Sequence, residues 1–347
     1  MFTAVQLIPT GVGAAIGGYA GDGGPATKLL ASVVDRLVTH PNAVNGADLL
    51  GLPANALYVE GGALDAWLAG RLALRPVRSR RIGLLIDKAV EALPAGSLEA
   101  VLVAADAVRA VHGVEVIGWA PTPRPLRATL TWGAGGQSTG SLGDPEALLA
   151  GARELVGAEA IAVVAFMDGL DAQEEAAYDD GHGVDPIGGL EAVISRYLVR
   201  ELGIPVAHAP LWPYGAGSAL HRVDPRAAAE HLGHTFLPCI LMGLARHPSL
   251  EAGPDTPPDA VVVPAGCLGG PGVIAAHDRG IPIIAVAGNP TTMHVDAAAL
   301  GWTDVITVSG YLEAAGVLAA MRAGLDWRAC QRPFAPLRQV PSRLTGN

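Results

Sequence analysis

The stretch of sequence that decides the fold is residues 259–286, DAVVVPAGCLGGPGVIAAHDRGIPIIAV. An apolar run ends in a glycine-rich turn around Cys267, a helix-forming segment follows, and a second apolar run completes the unit. This order of strand, turn, helix and strand is typical of a parallel sheet with right-handed crossovers. It therefore predicts a Rossmann-like layer.

The same alternation extends through the second half of the chain. Strands are predicted at residues 160–167, 205–209, 260–264, 281–287 and 305–308, and helices at 187–202, 225–246, 272–279 and 311–323. The first half is less regular and contains two glycine-rich loops, at residues 11–24 and 133–143. We therefore predict an α/β fold with a Rossmann-like parallel sheet in the C-terminal half and a mixed α/β N-terminal half. Residues 1–150 and 151–347 are predicted to be separate domains, although one continuous domain fits the pattern nearly as well.

Composition and charge exclude several classes of protein. Apolar residues make up 50% of the 347 residues, which is enough for one large core or two domains. The net charge is -10 and the 23 basic residues form no stripe beyond residues 75–81, so we expect no nucleic-acid partner. No run of about 18 apolar residues is free of charges and chain breakers, so we expect no membrane partner.

Cysteine usage and the N-terminal sequence bear on the cellular location. The three cysteines are widely spaced and odd in number, which does not make a disulfide framework. The first residues, MFTAVQLIPTGVG, carry no basic leader before their apolar run. We therefore predict a cytoplasmic protein, for which formation of a homo-oligomer stays open.

Polar residues of reactive types follow almost every strand-like run. Because ligands bind at the carboxyl ends of strands in parallel α/β folds, these residues are predicted to converge on one crevice. The candidate catalytic residues are His40, Glu60, Asp168, His182, His208 and Cys267.

Two histidines are the candidate acid and base. His40 and His182 can each gain or lose a proton near neutral pH, and we expect Asp168 or Glu60 to assist them. Two alternatives stay open, because His40 also fits a turn histidine bonded to a backbone carbonyl and Glu60 also fits an exposed loop acid. His208 is either a site residue at the end of a strand or a core histidine bonded to the backbone.

Cys267 lies at a predicted strand-to-helix turn. The helix dipole is expected to lower the pKa of the thiol there, and a thiolate would serve as a nucleophile or as an acid/base group. The alternative is a small buried hydrophobic side chain. His231 and His234 have the i, i+3 spacing of metal ligands, but no further ligand motif accompanies them and we predict no metal site.

The glycine-rich loop after the first strand lacks the known nucleotide-binding spacings. It contains neither GxGxxG nor a glycine followed by Lys-Ser/Thr, so we predict that it lines a substrate rather than a dinucleotide. Asp22 is expected to cap the next helix or to face the ligand, and Asp185 is expected to act as an N-cap. The candidate substrate-binding residues are Thr10, Gly11, Gly13, Asp22, Asn42, Ser138, Thr139, Asp185 and Asn289.

Four motifs together resemble a known family. They are IPTGVGAAIGGYAGD at residues 8–22, THPN at 39–42, GVDPIGGLEA at 183–192 and PAGCLGGPG at 264–272. Over nearly the whole chain the sequence is similar to an uncharacterised family of bacteria, cyanobacteria and plants that is described only as a domain of unknown function. The resemblance implies no mechanism.

The residues themselves favour an enzyme of small-molecule biosynthesis. Histidine, carboxyl and thiol groups without a cofactor fingerprint predict cofactor-independent acid/base chemistry, as in a lyase, a cyclodehydratase or an amide-type hydrolase. The expected substrate is small, polar and nitrogen-containing, and neither a metal nor an organic cofactor is expected. Two alternatives stay open. The first is a nucleotide-sugar-dependent transferase, in which residues 259–286 would bind the nucleotide-sugar donor. The second is a protein that binds a metabolite without turnover.

Overall fold

The computed structural model describes residues 1–19, 21–44, 52–211, 213, 223–227, 236–333 and 336 of the chain. Its strands are β1 Thr3–Gln6, β2 Arg36–Thr39, β3 Ala56–Tyr58, β4 Leu72–Arg75, β5 Arg81–Ile86, β6 Glu115–Pro121, β7 Ala128–Trp132, β8 Ser138–Leu142, β9 Ala160–Ala165, β10 Met167–Asp168, β11 Val206–Pro210, β12 Ser249–Ala252, β13 Ala260–Pro264, β14 Ile283–Val286 and β15 Ile306–Val308. Its α-helices are α1 Gly24–Ser32, α2 Gly61–Leu68, α3 Ser97–His112, α4 Pro145–Glu154, α5 Ala172–Asp179, α6 Gly188–Leu202, α7 Phe236–Arg246, α8 Pro271–Asp278, α9 Ala297–Leu300 and α10 Tyr311–Arg322. Short 3₁₀ helices cover Lys88–Ala92 and Trp327–Cys330.

Six strands form a fully parallel sheet in the order β15-β14-β13-β1-β2-β3. Numbered by their own order along the chain they read 6-5-4-1-2-3, which is the strand order of a doubly wound Rossmann sheet. Most residues of these strands are buried, as in β13, where every residue is buried and both faces of the strand are covered. The order reverses between β1 and β13, so the carboxyl ends of these two strands frame the crevice where such sheets bind ligands.

A second parallel sheet has four strands in the order β11-β9-β5-β6. Its order reverses between β5 and β9, and Asp87 lies at this point, directly after β5, fully buried. The Asp87 carboxylate accepts hydrogen bonds from the backbone N–H groups of Ala89, Leu126 and Phe166. The carboxylate at this second reversal is therefore committed to the backbone.

Both large sheets combine strands from either side of residue 150. The six-stranded sheet joins β1, β2 and β3 to β13, β14 and β15, and the four-stranded sheet joins β5 and β6 to β9 and β11. One hydrophobic core serves both sheets, since it contains Leu30 and Val261 together with Leu85 and Ile161. The predicted α/β fold with parallel sheets is confirmed, and a cut at residue 150 would divide both of them.

Two smaller sheets complete the described strands. β7 and β8 pair antiparallel and β10 joins β7 in parallel, while β4 and β12 form a separate antiparallel pair. Helix α7 covers the last 11 residues of the helix predicted at 225–246. None of the helices in the described part of the chain has the length and apolar character needed to cross a membrane.

Candidate functional site

Two buried asparagines shape the glycine-rich loop that follows β1. Asn42 Nδ2 donates to the carbonyl oxygens of Ile8 at 2.9 Å and Gly17 at 2.7 Å. Asn289 Oδ1 accepts from the N–H of Ile16, and Asn289 Nδ2 donates to the carbonyl oxygen of the same residue, both at 2.9 Å. These two predicted substrate-binding residues therefore hold the loop through its backbone.

Asp22 bonds the same loop from its other end. The N–H groups of Gly17 and Tyr19 donate to the Asp22 carboxylate at 2.6 and 3.3 Å, so these amides are not available to an anion. Burial raises the pKa of Asp22 to about 6, although the two bonds oppose the shift. The expected helix cap is wrong, because the carboxylate turns back to the loop and the N-cap of α1 is Gly23 without a side-chain bond.

His40 lies behind the loop and is only 6% exposed. Its Nε2 accepts a hydrogen bond from the N–H of Ile8 at 2.9 Å. Burial lowers the pKa of His40 to about 4, and the positive charge of Arg196 adds to the shift. A histidine with this pKa is neutral at pH 7, and its basic nitrogen is committed to the backbone. This geometry does not fit the proton-shuttling role that the sequence predicts for His40.

The loop contacts the start of helix α6 through Ser138. The Ser138 N–H donates to the carbonyl oxygen of Gly11 at 2.9 Å, and Ser138 Oγ accepts from the N–H of Gly189 at 3.1 Å. Gly11 has φ +70°, and a Cβ there would lie 2.3 Å from Ser138 Oγ, so the position needs glycine. A Cβ on Gly188 would lie 2.4 Å from Thr10 Cγ2. Thr10, Gly11 and Ser138 are thus brought together at this helix end.

Gly13 and Thr139 lie on either side of this contact. A Cβ on Gly13, which has φ +58°, would lie 2.9 Å from Val184 Cγ2, so the loop packs closely on the segment before α6. Thr139 follows Ser138 in β8 and pairs with Thr131 of β7. Two further predicted substrate-binding residues are therefore neighbours of the loop contact.

A stack of side chains joins the loop to the end of helix α5. The Tyr19 and Tyr178 rings are stacked with centroids 4.2 Å apart, and the Arg226 guanidinium lies 4.7 Å from the Tyr19 centroid. Arg226 also donates to the carbonyl oxygens of Gly181 and Ala15. The guanidinium therefore connects the glycine-rich loop to the segment that leads into α6.

Glu60 lies between strand β3 and helix α2, and it is the N-cap residue of the helix. Its Oε2 accepts from the N–H groups of Gly62 at 2.9 Å and Ala63 at 3.4 Å, which is the geometry of an N-cap. Glu60 is 4% exposed. Burial raises its pKa to about 7, while the charge of Arg196 and the two amides oppose the shift. Glu60 is therefore a buried carboxyl that gains or loses a proton near neutral pH, and not an exposed loop acid.

Asp185 bonds the start of helix α6. Its Oδ1 accepts from the N–H groups of Ile187 at 3.0 Å and Gly188 at 3.1 Å, although the N-cap position itself is Ile187. Burial raises the pKa of Asp185 to about 7, and the negative charge of Glu191 adds to the shift. A second carboxyl thus titrates near neutral pH.

His208, on strand β11, interacts with both of these carboxyl groups. Its Nε2 lies 3.1 Å from Glu191 Oε2, and its Nδ1 lies 2.5 Å from Ser195 Oγ. The charge of His208 lowers the pKa of Glu60 and of Asp185, so the imidazole is within electrostatic reach of both. His208 therefore bonds side chains and is not a core histidine bonded to the backbone. Glu60, Asp185, Glu191 and His208 are called the carboxyl cluster below.

Sequence reasoning missed Glu191, Ser195 and Arg196. The spacing of four residues between Glu191 and Ser195 places both on one face of α6, but the sequence does not indicate that this face meets β11. Arg196 forms an ion pair with Asp65, whose Oδ1 also accepts from the N–H of Gly272 at 3.1 Å. Arg196 therefore ties α6 to α2, and Asp65 ties α2 to α8.

Asp168 and His182 are both exposed. Asp168 ends β10 and its Oδ1 accepts from the N–H of Gly169 at 2.9 Å. His182 lies between two glycines, Gly181 and Gly183, with φ +82° and +83°. Within the described residues no hydrogen bond or ion pair joins Asp168 to His182, so the expected acid/base pair is not formed there.

Cys267 is buried in the loop after β13. Its Sγ lies 3.4 Å from Thr291 Oγ1, and burial raises the pKa of the thiol. The expected lowering of this pKa is wrong, because burial raises it by more than the hydrogen bond with Thr291 lowers it. Cys267 follows a strand of the six-stranded sheet, whereas His208 lies in the four-stranded sheet and Asp168 in the three-stranded one. The three residues therefore do not share one sheet edge.

The spacing of His231 and His234 is that of metal ligands, but the sequence predicts no metal site there. His231 and His234 lie outside the described residues. Elsewhere, over the described ranges, no three His, Cys, Asp or Glu side chains are grouped so that they could hold a metal ion.

Fold and site together define an α/β protein with two parallel sheets and a buried carboxyl cluster where α6 meets α2 and β11. The chain belongs to the family described as Protein of unknown function (DUF3326), whose model matches residues 3–331. The resemblance in the four motifs is thereby confirmed. An uncharacterised lipoprotein of Synechococcus sp. (strain ATCC 27144 / PCC 6301 / SAUG 1402/1) is 44% identical over 336 residues, which cover 93% of this chain and 92% of the relative. No solved structure matches the chain.

The similarity to a lipoprotein corrects the cellular location expected from the sequence. The relative that is 44% identical over 93% of this chain is named a lipoprotein, and this name disagrees with a cytoplasmic location. The predicted cytoplasmic location is therefore wrong.

Proposed function

We propose that this protein is an enzyme that uses the carboxyl cluster for cofactor-independent acid/base catalysis on a small polar substrate. The observation that carries the proposal is a pair of buried carboxyl groups, Glu60 and Asp185, which both have a pKa of about 7 and both interact with His208. Proton transfer is most effective when the pKa of the catalytic group lies near the working pH. Carboxyl groups with such shifted pKa values concentrate at functional sites.

The cluster supplies an acid and a base at the same pH. A protonated carboxyl donates to a departing oxygen or nitrogen, and an ionised carboxyl removes a proton from carbon, nitrogen or water. His208 lies between the Glu191 carboxyl and the Ser195 hydroxyl, so it receives and returns a proton without rotation of its ring. This combination suits the loss of water catalysed by a lyase or cyclodehydratase, and the addition of water catalysed by an amide-type hydrolase.

A nucleotide-sugar-dependent transferase is the second candidate, and the order of the six-stranded sheet favours it. Sheets with this order bind nucleotides beside the reversal, which lies here between β1 and β13. The glycine-rich loop weighs against it, since the N–H groups of Gly17 and Tyr19 already donate to Asp22. Ultraviolet absorbance of ligands released by heating the purified protein separates the two candidates, because a bound nucleotide absorbs strongly.

The proposal is tested by screening small amides, amidines and hydroxyl-bearing carbonyl compounds for turnover after dialysis against a chelator. We expect activity without added metal or cofactor and a pH profile with limbs near 7. Glu60→Gln and Asp185→Asn should each lower kcat by about 10² to 10⁴. Asp304→Asn, which alters an exposed carboxylate before β15, should keep wild-type activity.

Two results would contradict the proposal. Activity that is lost with the chelator would assign the chemistry to a metal. Activity that survives in both Glu60→Gln and Asp185→Asn would move the acid/base groups away from the carboxyl cluster.

A further inference from the structure

The carboxyl cluster contains more acidic than basic groups. The negative charge of Glu191 raises the pKa of Asp185, so these two carboxyl groups are within electrostatic reach of each other. Arg196 faces Glu60, but its guanidinium is already paired with Asp65. His208 is the one basic side chain bonded to a carboxyl of the cluster among the described residues. The three carboxyl groups of the cluster therefore face one imidazole and one guanidinium that is shared with Asp65.

The Tyr58 hydroxyl gives a second and independent indication of a ligand. Tyr58 is 3% exposed and its ring packs against Gly243 of α7. The charges of Cys239, Glu60 and Glu191 all raise the pKa of its hydroxyl, so the hydroxyl is within electrostatic reach of the cluster. No group in the described part of the chain forms a hydrogen bond with this hydroxyl. Buried tyrosine hydroxyls usually have a partner, and a ligand in the cluster would provide one.

We propose that the carboxyl cluster binds an organic cation that carries N–H groups, such as a primary ammonium, an amidinium or a guanidinium. The inference rests on the proposed function, because it names the substrate class of the same site. Ionised carboxyl oxygens only accept hydrogen bonds, and N–H groups on a cation give them charge-assisted bonds. The Tyr58 oxygen also has acceptor capacity for such a group.

Glu60 keeps one oxygen for this cation. Its Oε2 is used by the N–H groups of Gly62 and Ala63, while no group among the described residues donates to Oε1. Asp185 has the same arrangement, since Ile187 and Gly188 both donate to Oδ1 and leave Oδ2. In each of the two carboxyl groups, therefore, one oxygen bonds the backbone and the other keeps its acceptor capacity for a ligand.

Binding of a cation should release protons from the cluster. A carboxyl with a pKa of about 7 is about half protonated at pH 7, and a bound positive charge favours the ionised form. The protons pass to the solvent while the ligand keeps its own. Burial holds the pKa of Tyr58 well above 10.0 and that of His40 at about 4, so neither titrates with the carboxyl groups. Further charged or titratable groups near the cluster are Arg196 of α6, Asp65 of α2 and Cys239 of α7. His247 Nε2 accepts from the Glu60 N–H at 2.9 Å, and burial lowers the pKa of His247 to about 3, so it does not titrate with the carboxyl groups either.

The test measures binding of methylguanidinium chloride to the full chain by calorimetry in phosphate buffer at pH 7. Proton release is followed with an indicator dye in weakly buffered solution. Tetramethylammonium, a cation without N–H groups, is the matched probe. We expect saturable binding of methylguanidinium with release of up to about one proton per chain, and binding of tetramethylammonium that is about tenfold weaker or more.

Variants locate the binding in the cluster. Glu60→Gln and Asp185→Asn should each weaken methylguanidinium binding about tenfold or more and reduce proton release. Tyr58→Phe should weaken binding without changing the number of protons released, because it removes a hydroxyl that stays protonated. Asp304→Asn should change neither quantity.

Four results overturn the inference: no saturable binding, equal binding of the two cations, wild-type affinity in both carboxyl variants, or proton release driven by Mg²⁺ instead. Carboxyl-carbon NMR of the free protein separates this failure from failure of the proposed function. If Glu60 and Asp185 titrate near neutral pH and no cation binds, the cation inference alone fails. If they titrate near 4.5 and 3.8, the acid/base proposal fails with it.

Discussion

At the scale of the residue, Glu60 is subject to two opposing effects. As a helix cap it accepts two backbone N–H groups, which favour its charged form. As a buried side chain it has lost most of its contact with water, which favours its neutral form. Its pKa of about 7 means that burial is the larger effect. The folded protein therefore keeps a proton on Glu60 at pH values where the unfolded chain has released it.

This difference predicts that Glu60→Gln gains stability relative to the wild type as pH rises. Between pH 4.5 and about 7 the folded state binds more protons at Glu60 than the unfolded state, so Glu60 lowers the free energy of unfolding progressively across this window. The whole shift corresponds to about 3 kcal/mol. Urea unfolding at pH 5 and pH 8 should show the difference between variant and wild type moving in favour of the variant by a large part of that value.

Glu313→Gln is the matched control for this measurement. The backbone N–H of Ser309 lowers the pKa of Glu313, so its effect on stability changes below pH 4.5 and is constant between pH 5 and 8. His40 and His247 act on the wild type in the opposite sense, because burial lowers their pKa to about 4 and about 3 and their contribution is lost as pH falls. Both proteins contain these histidines, so their contributions to stability cancel when the variant is compared with the wild type. A flat difference for Glu60→Gln would contradict the raised pKa.

His40 illustrates why the location of a residue was easier to predict than its role. The THPN motif predicts a histidine directly after a strand, and His40 follows β2. Its chemistry depends on the atom that faces Nε2, which is the N–H of Ile8, 32 positions away in sequence. Burial then sets its pKa. Neither the partner nor the burial can be derived from the neighbouring residues, so the sequence predicted an acid/base histidine where the structure has a neutral one.

At the scale of the element, helix α6 organises the candidate site. Asp185 and Ser138 bond its first N–H groups, and its first turns carry Glu191 and Ser195 to β11. The sequence predicted a helix at residues 187–202, and α6 runs over Gly188–Leu202. Apolar periodicity is local and defines the helix well. The elements that pack on each of its faces are not local, so Glu191 and Ser195 were missed.

The contact between the glycine-rich loop and α6 predicts the effect of Gly11→Ala. The new Cβ would lie 2.3 Å from Ser138 Oγ, in a backbone with φ +70°. A left-handed backbone costs an alanine about 1–2 kcal/mol, and displacement of Ser138 would also break its bond from Gly189. We expect the free energy of unfolding in urea to fall by more than about 2 kcal/mol.

Gly183→Ala is the matched control for Gly11→Ala. Gly183 also has a left-handed backbone, with φ +83°, but nothing lies within 4 Å of the position of a Cβ. Gly183→Ala should therefore lower the free energy of unfolding only by the backbone strain, about 1–2 kcal/mol. The difference between the two variants reports the close approach at Ser138. Equal losses would contradict a packing role for Gly11.

At the scale of the whole molecule, the chain builds its six-stranded sheet from both ends. β1, β2 and β3 precede residues 72–252, and β13, β14 and β15 follow them, so that Ala4 pairs with Ala260. Alternation of strands and helices is visible in the sequence and predicted the α/β class. The choice of partner for a strand depends on packing between distant segments, so the sequence did not indicate that strands from its two halves would pair.

This interleaving predicts which fragments of the chain fold. Residues 1–150 contain β1 without β13 and β5 without β9, so the central strands of both sheets lose a neighbour. Residues 151–347 lose the opposite members of the same pairs. Residues 72–252 keep all strands of the four-stranded sheet and of both smaller sheets. A central strand that has lost its neighbour exposes apolar side chains and an unpaired edge, which makes the first two fragments unstable and prone to aggregate.

Far-ultraviolet circular dichroism during heating should therefore show a cooperative transition for residues 72–252 and none for residues 1–150 or 151–347. The full chain is the control, and its transition should lie at a higher temperature than that of residues 72–252, because one core packs against both large sheets. A cooperative transition of residues 1–150 alone would contradict this view. It would mean that strands β1 to β3 specify a stable sheet without β13, and that the long-range pairing is a consequence of folding and not its condition.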